Sequence, residues 1–226
     1  MSIGYGNPKI VTDNLIFAVD AANGKSVGDG VYWYNIPDNI GTGVFKNGSP
    51  TVEIVGGAKA YRFTSTSQYF ESSVLTVQPS EKLTMEAWIY PENEVSSGDR
   101  GTIIRMWGGS AAYMSWNKSN QKLSNYWYQR NSEGYHESGA AMQRYQWHHI
   151  CSVWTGSQLN QFTDGVKSVV SNITGDSPTG TSVEIGMEST GRQFSGGIAV
   201  IRIYNSALSD DEVYQNFNAS RVRFGV

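Results

Sequence analysis

Cysteine, histidine and proline are all scarce in this 226-residue chain, which has one cysteine, three histidines and six prolines. The single cysteine, Cys151, excludes an internal disulfide, and its apolar sequence context favours a buried thiol over a nucleophile. His148 and His149 are adjacent in a strand-like segment. Adjacent strand residues point to opposite faces, so these histidines cannot easily share one ion. The sequence therefore argues against a metal-dependent enzyme.

An excess of positive charge and long apolar runs are also missing. Lysine and arginine total 17 against 20 aspartates and glutamates, and the net charge is −3. Nucleic-acid binders normally present a basic face, so we expect no nucleic-acid partner. No apolar run approaches the roughly 20 residues that a membrane helix requires, and no signal-peptide pattern opens the chain. We therefore expect neither membrane insertion nor secretion.

Short alternating segments, in contrast, recur along the whole chain with turn residues between them. Residues 15–20 alternate in this way, and so do residues 196–204, where Ala199, Ile201 and Ile203 would share one face. Roughly a dozen such strands accompany only one strong helix pattern. This spacing predicts an all-β fold in which two antiparallel sheets form a jelly-roll sandwich.

A short helix with a complete set of start signals is predicted near the C-terminus. Ser209 is a natural N-cap, and Glu212 is placed to return a hydrogen bond to the backbone of the cap. Leu208 and Val213 are spaced to form a hydrophobic staple across the cap. Val213 and Phe217, four residues apart, give the helix one apolar stripe that we expect to face the sandwich.

The chain has the length of one large β domain and is short for two. No linker, repeat or low-complexity segment divides it. We expect an N-terminal arm in residues 1–14, a jelly-roll domain in residues 15–218 and a C-terminal tail in residues 219–226. Residues 24–50, which are rich in glycine and asparagine, are expected to be irregular.

Segments along most of the chain resemble the concanavalin A-like, laminin G-like jelly-roll domains. They are, in order, residues 13–23, 61–70, 83–91, 147–154, 161–166 and 194–218. The resemblance implies the same two-sheet fold with a closing strand and helix. It does not select a function, because this fold is found in lectins, glycosidases and adhesion modules.

Both ends of the chain are similar to tailed-bacteriophage structural proteins that contain this domain. The similarity lies in residues 4–13 and 215–225. It implies a non-enzymatic virion structural protein, such as a capsid decoration, head fibre or tail component, made in the host cytoplasm and located in the virion. It also implies contacts with other virion proteins, within a homo-oligomer or a lattice.

A lectin-like module that attaches to cell-surface glycans is the alternative function. Aromatic residues cluster in residues 125–131 and 134–137, and sugar rings stack their C–H faces on aromatic planes. In a strand, Trp127 would point away from the tyrosines beside it. The candidate sugar-binding residues are Tyr126, Tyr128, Arg130, Tyr135, Trp107 and Trp116, with Tyr113 as an extension of the same surface. Core packing or a protein interface would use the same residue types.

A glycoside hydrolase is the third hypothesis. Such enzymes place two carboxyl groups about 5–9.5 Å apart around the scissile bond. Glu184 and Glu188 would share one face of a strand, with Cα atoms roughly 13 Å apart. Between them, where glucanases with this fold have an aspartate, this chain has Gly186. We therefore predict that the protein is not an enzyme.

No cofactor is predicted, and a structural calcium ion is the one alternative. The resemblance implies this option, because some relatives bind calcium at the rim of the sandwich. Oxygen ligands for it would come from the loop residues Asp20, Asn23, Asp99 and Asp176. No segment of the chain resembles a dedicated calcium-binding loop.

The end of the chain is the candidate segment for docking to a partner. Arg221 and Arg223 flank Val222, and Phe224 follows them. Little of a single sandwich is left for these residues to pack on. We therefore expect Phe224 to anchor in a neighbouring subunit while the arginines pair with its carboxylates. A frayed terminus is the alternative.

Overall fold

A computed structural model of the chain describes residues 9–28, 30–37, 43–72, 82–93, 98–107, 112–127, 134–173, 182–187 and 192–226. In these ranges it contains sixteen β-strands and one α-helix. The strands are β1 (Leu15–Asp20), β2 (Tyr32–Trp33), β3 (Gly43–Lys46), β4 (Thr51–Val55), β5 (Ala58–Phe63), β6 (Tyr69–Ser72), β7 (Leu83–Pro91), β8 (Arg100–Trp107), β9 (Ala112–Asn117), β10 (Lys122–Trp127), β11 (Gly134–Ala141), β12 (His148–Trp154), β13 (Gln158–Thr163), β14 (Val166–Asn172), β15 (Ser182–Ile185) and β16 (Gly196–Tyr204). The helix is α1 (Asp210–Phe224).

The strands form two eight-stranded sheets. The first sheet has the order β14-β13-β12-β7-β16-β5-β4, and β1 pairs with the later part of β16 beside β5. The second sheet has the order β11-β10-β9-β8-β15-β6-β3-β2. Neighbouring strands are antiparallel in both sheets. The predicted all-β, two-sheet jelly-roll sandwich with a C-terminal helix is confirmed.

The main hydrophobic core lies between the two sheets. Met85 and Ile89 of β7 enter it from the first sheet, and Met114 and Trp116 of β9 enter it from the second. Within each of these strands the inward residues are two or four positions apart, as strand geometry requires. Residues at the alternate positions, such as Trp88 of β7 and Tyr113 of β9, lie on the outer faces of the sandwich.

A β-bulge in β16 changes the predicted alternation of that strand. Its register against β7 shifts between Ile198 and Val200. Ile198 therefore belongs to the main core together with Ile201 and Ile203, whereas Ala199 packs in an outer cluster with Val200. The prediction that Ala199 shares a face with Ile201 and Ile203 is wrong, because a bulge adds one residue to one strand of a pair.

Helix α1 packs on the outer face of the first sheet. The Ser209 hydroxyl accepts a hydrogen bond from the N–H of Glu212, and the Glu212 carboxylate accepts one from the N–H of Ser209, which confirms the capping box. Val213 and Phe217 are buried, as their spacing predicts. In the described part of the chain, no helix combines the length and the apolar character needed to cross a membrane.

The described part of the predicted N-terminal arm packs against the helix. The N–H of Val11 donates to Asn216 Oδ1 at 2.8 Å, and the carbonyl of Val11 accepts a hydrogen bond from the Tyr204 hydroxyl at 3.1 Å. The Gln215 side chain donates to the carbonyl of Lys9 at 2.7 Å. The boundary predicted at residue 14 therefore does not mark a break in packing.

The C-terminal residues also belong to the sandwich, which corrects the predicted docking tail. Phe224 is 4% exposed, and its ring stacks on that of Trp88 with centroids 4.1 Å apart. Arg223 donates to both carboxylate oxygens of Asp20, at 2.8 and 2.9 Å. Only Arg221 of the predicted docking residues lies exposed on the helix surface. The prediction failed because the outer face of β7 offers Phe224 a site within its own chain.

Two strands lie in the segment that was expected to be irregular. β2 and β3 form one edge of the second sheet, where β3 pairs with β6. Trp33 of β2 is fully buried, and its ring centroid lies 4.6 Å from that of Tyr61. These strands are only two and four residues long, too short for a period-2 pattern to identify them.

Candidate functional site

A row of side chains crosses the outer face of the second sheet. The strand register pairs Glu184 with Arg105, Arg105 with Tyr113, Tyr113 with Tyr126, and Tyr126 with Tyr135. Residues that are directly opposite on neighbouring strands point to the same face of a sheet. Five adjacent strands therefore align these five residues, which we call the tyrosine row.

The three tyrosines of the row contact one another. The ring centroids of Tyr113 and Tyr126 are 5.6 Å apart with planes at 63°, and those of Tyr126 and Tyr135 are 4.9 Å apart with planes at 52°. Tilted contacts of this kind are favourable between aromatic rings. Tyr113 is buried, whereas Tyr126 and Tyr135 are half-buried, so the last two rings form the accessible part of the aromatic surface.

Arginines lie against the two end tyrosines of the row, with Arg105 at Tyr113 and both Arg100 and Arg192 at Tyr135. The guanidinium carbon of Arg100 is 3.5 Å from the ring centroid of Tyr135, and that of Arg105 is 5.5 Å from the centroid of Tyr113. A guanidinium at these distances is attracted by the negative face of the ring. The arginines therefore hold the rings in place and set charged donors beside them.

Carboxylates fix Arg105 and Arg100 in turn. Arg105 Nη1 is 2.8 Å from Glu184 Oε2, and Arg100 Nη2 is 3.3 Å from Glu137 Oε1. Arg100 Nε also donates to the Ser124 hydroxyl at 3.1 Å. The face thus combines aromatic rings with donors and acceptors in fixed positions.

A buried polar network holds the tyrosine strands to the first sheet. Asn125 Oδ1 accepts hydrogen bonds from the Ser152 hydroxyl at 2.8 Å and from Gln161 Nε2 at 2.7 Å. Asn125 Nδ2 donates to the carbonyl of Tyr113 at 3.1 Å, and Gln161 Nε2 donates to the carbonyl of His136 at 2.9 Å. Both polar atoms of the Asn125 amide are thus engaged, and a buried amide held in this way favours one arrangement of the strands. Asn125 therefore supports the row from inside the core.

The structure brings together two of the predicted sugar-binding residues, Tyr126 and Tyr135. Tyr113, the predicted extension of their surface, lies beside them in the row. Trp127 points into the main core, as the alternation predicts. The prediction for Trp116 is wrong, because it follows Tyr113 by three positions and so lies on the inner face, where it is buried.

Three of the predicted sugar-binding residues cannot be assigned a side-chain position. Tyr128 and Arg130 lie outside the described residues. For Trp107, which ends β8, the backbone pairs with Ser182. The prediction of these three residues therefore stays a prediction.

The arginines of the site, Arg100 and Arg105, are the residues that sequence reasoning missed, whereas Glu184 was considered only as a candidate for hydrolysis. Alternation within β8 places Arg105 on the outer face, but nothing local shows that Tyr113 and Glu184 are its neighbours. Glu184 is 79 positions away along the chain. Only the pairing of β8 with both β9 and β15 identifies the row.

A family model described as the concanavalin A-like lectin/glucanases superfamily matches residues 64–214, more than half of the chain. The chain belongs to this superfamily. No curated protein matches the chain.

Solved structures share the fold at low sequence identity. Domain 4 of AbnA, an extracellular arabinanase from Geobacillus stearothermophilus solved with arabinotriose, has a TM-score of 0.68 and 16% identity over 90% of this chain and 98% of that domain. Trypanosoma rangeli sialidase, solved as a covalent intermediate with 2,3-difluorosialic acid, has a TM-score of 0.68 and 13% identity over 95% of this chain. This chain covers only 34% of the sialidase chain. These likenesses show the fold alone.

The superfamily description includes glucanases, and glycoside hydrolysis uses a pair of carboxyl groups. The predicted pair is Glu184 and Glu188. Strand β15 ends at Ile185, and Gly186 has φ +92°. A Cβ atom at Gly186 would lie 2.5 Å from the ring of Phe63. Strand β15 therefore ends before Glu188, and the pairing of Glu184 with Glu188 stays a prediction. Glu188 itself lies outside the described residues.

Two of the acidic residues proposed for calcium already have basic partners. Asp20 pairs with Arg223 at 2.8 Å, and Asp99 pairs with Arg100. In the described ranges, no three or more His, Cys, Asp and Glu side chains are grouped so that they could hold a metal ion. The third residue, Asn23, accepts a hydrogen bond from its own loop. Asp176 lies outside the described ranges, and calcium stays a prediction.

A second charged cluster lies on the outer face of the first sheet, beneath α1. The Glu86 carboxylate contacts the Arg202 guanidinium and accepts a hydrogen bond from Asn216 Nδ2 at 2.7 Å, and His149 Nε2 is 3.3 Å from Glu86 Oε1. Burial acts to raise the pKa of Glu86, but Arg202, His149 and Asn216 outweigh it and lower this pKa to about 2. Because the helix covers the cluster, its chemistry is structural.

Proposed function

We propose that this domain binds carbohydrate, without cleaving it, through the outer face of the second sheet. The tyrosine row is the observation that supports this function best. A sugar ring has an apolar C–H face that packs on the half-buried rings of Tyr126 and Tyr135. The guanidinium of Arg100, 3.5 Å from the Tyr135 ring centroid, and the carboxylate of Glu137 that pairs with it provide a donor and an acceptor for sugar hydroxyls.

The superfamily and the structural neighbours also support a carbohydrate ligand. Lectins are part of the superfamily description. The arabinanase domain, which this chain covers almost completely, was solved with a bound arabinotriose. A saccharide is therefore the first ligand class to test on the tyrosine row.

The surroundings of Glu184 favour binding over hydrolysis. Its carboxylate is engaged by Arg105 at 2.8 Å. A second carboxylate, that of Glu71 on β6, lies directly opposite Glu184, and it too has a basic partner, Lys46, at 3.6 Å. Glycoside hydrolysis needs two carboxyl groups in a defined geometry, and a binding site does not. A non-enzymatic role therefore fits the part that Glu184 has in the row.

The direct test is glycan-array binding by the wild-type protein and three variants. Tyr126→Ala removes one of the two accessible rings, and we expect at least tenfold weaker binding, since truncating a central aromatic contact costs about 2 kcal/mol or more. Tyr126→Phe keeps the ring and should retain most of the binding. Tyr214→Ala, which removes an exposed tyrosine on α1, is the matched control and should bind as the wild type does.

Three results would contradict the proposal. The first is a wild-type protein that binds no glycan on the array. The second is a Tyr126→Ala variant that binds as strongly as the wild type. The third is conversion of a bound glycan into shorter products that stops in Glu184→Gln, which would make the protein an enzyme.

A virion structural role is the other candidate function, and it follows from the resemblance of the chain ends alone. The comparisons reported above give it no support. Two of the docking residues proposed for it are engaged within the domain, since Phe224 is buried and Arg223 pairs with Asp20. Co-sedimentation with phage particles, or a stable oligomer without affinity for sugars, would favour this role over the lectin-like one.

A further inference from the structure

A pocket lies on the opposite side of the sandwich from the tyrosine row. It is a cavity of about 280 Å³ at the C-terminal end of α1. Its walls include Tyr90, Tyr145, Gln146, Trp147 and Phe224. Ligand pockets in proteins usually measure about 300–1,000 Å³, so this cavity has the size for a single ring.

Four aromatic rings form a continuous run from the solvent to the helix. The Tyr145 and Tyr90 centroids are 6.5 Å apart, those of Tyr90 and Trp147 are 5.4 Å apart, and those of Trp147 and Phe224 are 4.7 Å apart. Tyr145 is 51% exposed, whereas Trp147 and Phe224 are buried. The pocket therefore has an exposed tyrosine at its rim and fixed rings below it.

The backbone of Tyr145 adopts a conformation that disfavours its side chain. Its φ is +62°, a region in which a bulky residue is an outlier and which asparagine or glycine enters at lower cost. A hydrogen bond from the N–H of Tyr145 to the carbonyl of Pro91, at 2.8 Å, holds this conformation. Because the ring is half exposed, its burial does little to offset the strain. A strained residue with an accessible side chain indicates a function for that side chain.

Gly56 shapes the floor of the pocket. Its φ is +51°, and a Cβ atom there would lie 2.3 Å from the Tyr90 ring and 2.9 Å from Trp147 Nε1. Only glycine lets both rings approach the turn between β4 and β5 this closely. Trp147 Nε1 also donates to the carbonyls of Val55 and Gly56, at 3.1 and 3.2 Å. Contacts within the chain therefore hold the floor of the pocket in place without a ligand.

The lining determines the chemical class of the ligand. None of its side chains is charged, so no side chain there offers an ionic partner to a ligand. The phenol groups of Tyr90 and Tyr145 and the carboxamide of Gln146 supply polar groups next to aromatic planes. A neutral sugar ring matches this combination, since it has an apolar C–H face bordered by hydroxyls.

We infer that this pocket is a second carbohydrate-binding site, with the ring of Tyr145 as its stacking surface. It takes one uncharged monosaccharide unit. Because it lies on the outer side of the first sheet, it does not depend on the tyrosine row. A protein with both sites would contact glycans from two opposite faces.

Saturation-transfer NMR on the whole chain tests this site separately from the first. The probes are D-glucose, D-galactose, D-mannose, L-arabinose and N-acetyl-D-glucosamine at millimolar concentration. In Tyr126→Ala, where the tyrosine row is impaired, we expect transfer to at least one of these sugars. Adding Tyr145→Ala should weaken that binding at least tenfold, whereas adding Tyr145→Phe should preserve most of it.

A stability measurement separates a binding role of Tyr145 from a structural one. Asparagine tolerates the left-handed conformation, so Tyr145→Asn should keep or raise Tm while sugar binding is lost. A lower Tm together with lost binding would make Tyr145 a structural residue and overturn the inference. So would the absence of transfer to all five sugars in Tyr126→Ala, or transfer that is unchanged by Tyr145→Ala. Aromatic grooves also bind proline-rich peptides. Binding of a decaproline peptide that depends on Tyr145, without binding of the sugars, would therefore also overturn the inference.

Discussion

The outer faces of the two sheets contain the same ion pair in two different settings. On the first sheet Arg202 lies directly opposite Glu86, and on the second sheet Glu184 lies directly opposite Arg105. The side chains of Glu86 and Arg202 are 0% and 8% exposed, whereas those of Glu184 and Arg105 are 14% and 13% exposed. Helix α1 accounts for the difference, because it covers only the first pair.

Because helix α1 covers only one of the two ion pairs, the pairs contribute differently to the molecule. Beneath the helix, Asn216 donates to both Glu86 and the hydroxyl of Tyr204, so the charge helps to position α1 on the sheet. On the second sheet, α1 does not cover Glu184 and Arg105, which lie at the end of the tyrosine row next to the ring of Tyr113. The same pair of residue types is therefore structural on one face and available for recognition on the other.

Removing one carboxylate from each pair should have the largest and most unequal effects. Glu86→Ala leaves Arg202 as a buried charge without its partner, and we expect the free energy of unfolding to fall by about 3–5 kcal/mol. Glu184→Ala should cost less, about 1–2 kcal/mol, because Arg105 is 13% exposed and keeps partial contact with water. Urea denaturation of both variants measures the difference. Equal losses would show that the helix does not distinguish the two faces.

Truncating Phe224, at the C-terminal end of α1, should weaken the packing of this helix on the first sheet. Phe224→Ala removes a buried ring from its stack on Trp88, and we expect a loss of about 3 kcal/mol. Val222→Ala, at a position on the same helix that is 76% exposed, should change stability by less than about 0.5 kcal/mol. Denaturant unfolding compares the two variants. If Phe224→Ala unfolds like the wild type, the last turn of α1 does not contribute to covering the first sheet.

Lowering the pH should reduce the free energy of unfolding through the protonation of Glu86, which belongs only to the covered ion pair. Its pKa is lowered from 4.5 to about 2 in the folded state, so its stabilising effect is complete above about pH 4.5 and is lost as the pH falls towards 2. Between pH 7 and pH 3 this group accounts for a loss of about 2 kcal/mol. In Glu86→Gln the decline in unfolding free energy over this range should be shallower by that amount. Parallel pH profiles of variant and wild type would contradict the assignment.

Local patterns were sufficient wherever the determining contacts are close in sequence. The capping box of Ser209 and Glu212 and the buried stripe of Val213 and Phe217 were predicted correctly, because each rests on contacts within one helical turn. The opposite faces of Tyr126 and Trp127 were also predicted, since alternation is a property of a single strand. The short strands β2 and β3 were not predicted, because two and four residues are too few to show the alternation of a strand.

The site depended on contacts that no local pattern contains. Trp116 was assigned to the surface of Tyr126 by residue type, although its position in β9 turns it into the core. Arg105 was not recognised as part of the site, because the strands that supply its neighbours are joined only by their register. Phe224 was expected to be free, because the face of Trp88 that receives it lies 136 positions earlier in the chain.

The sequence by itself determined the class of fold, the number of sheets and the start of the helix, because alternation and capping act over a few residues. Only the tertiary structure decided which charges are buried, which tyrosines line up, and where Tyr145 stands in relation to Trp147. Those outcomes depend on the registers of distant strands and on the face that α1 covers. Registers and helix placement are set by the free energy of packing the whole sandwich, to which each segment contributes only a part.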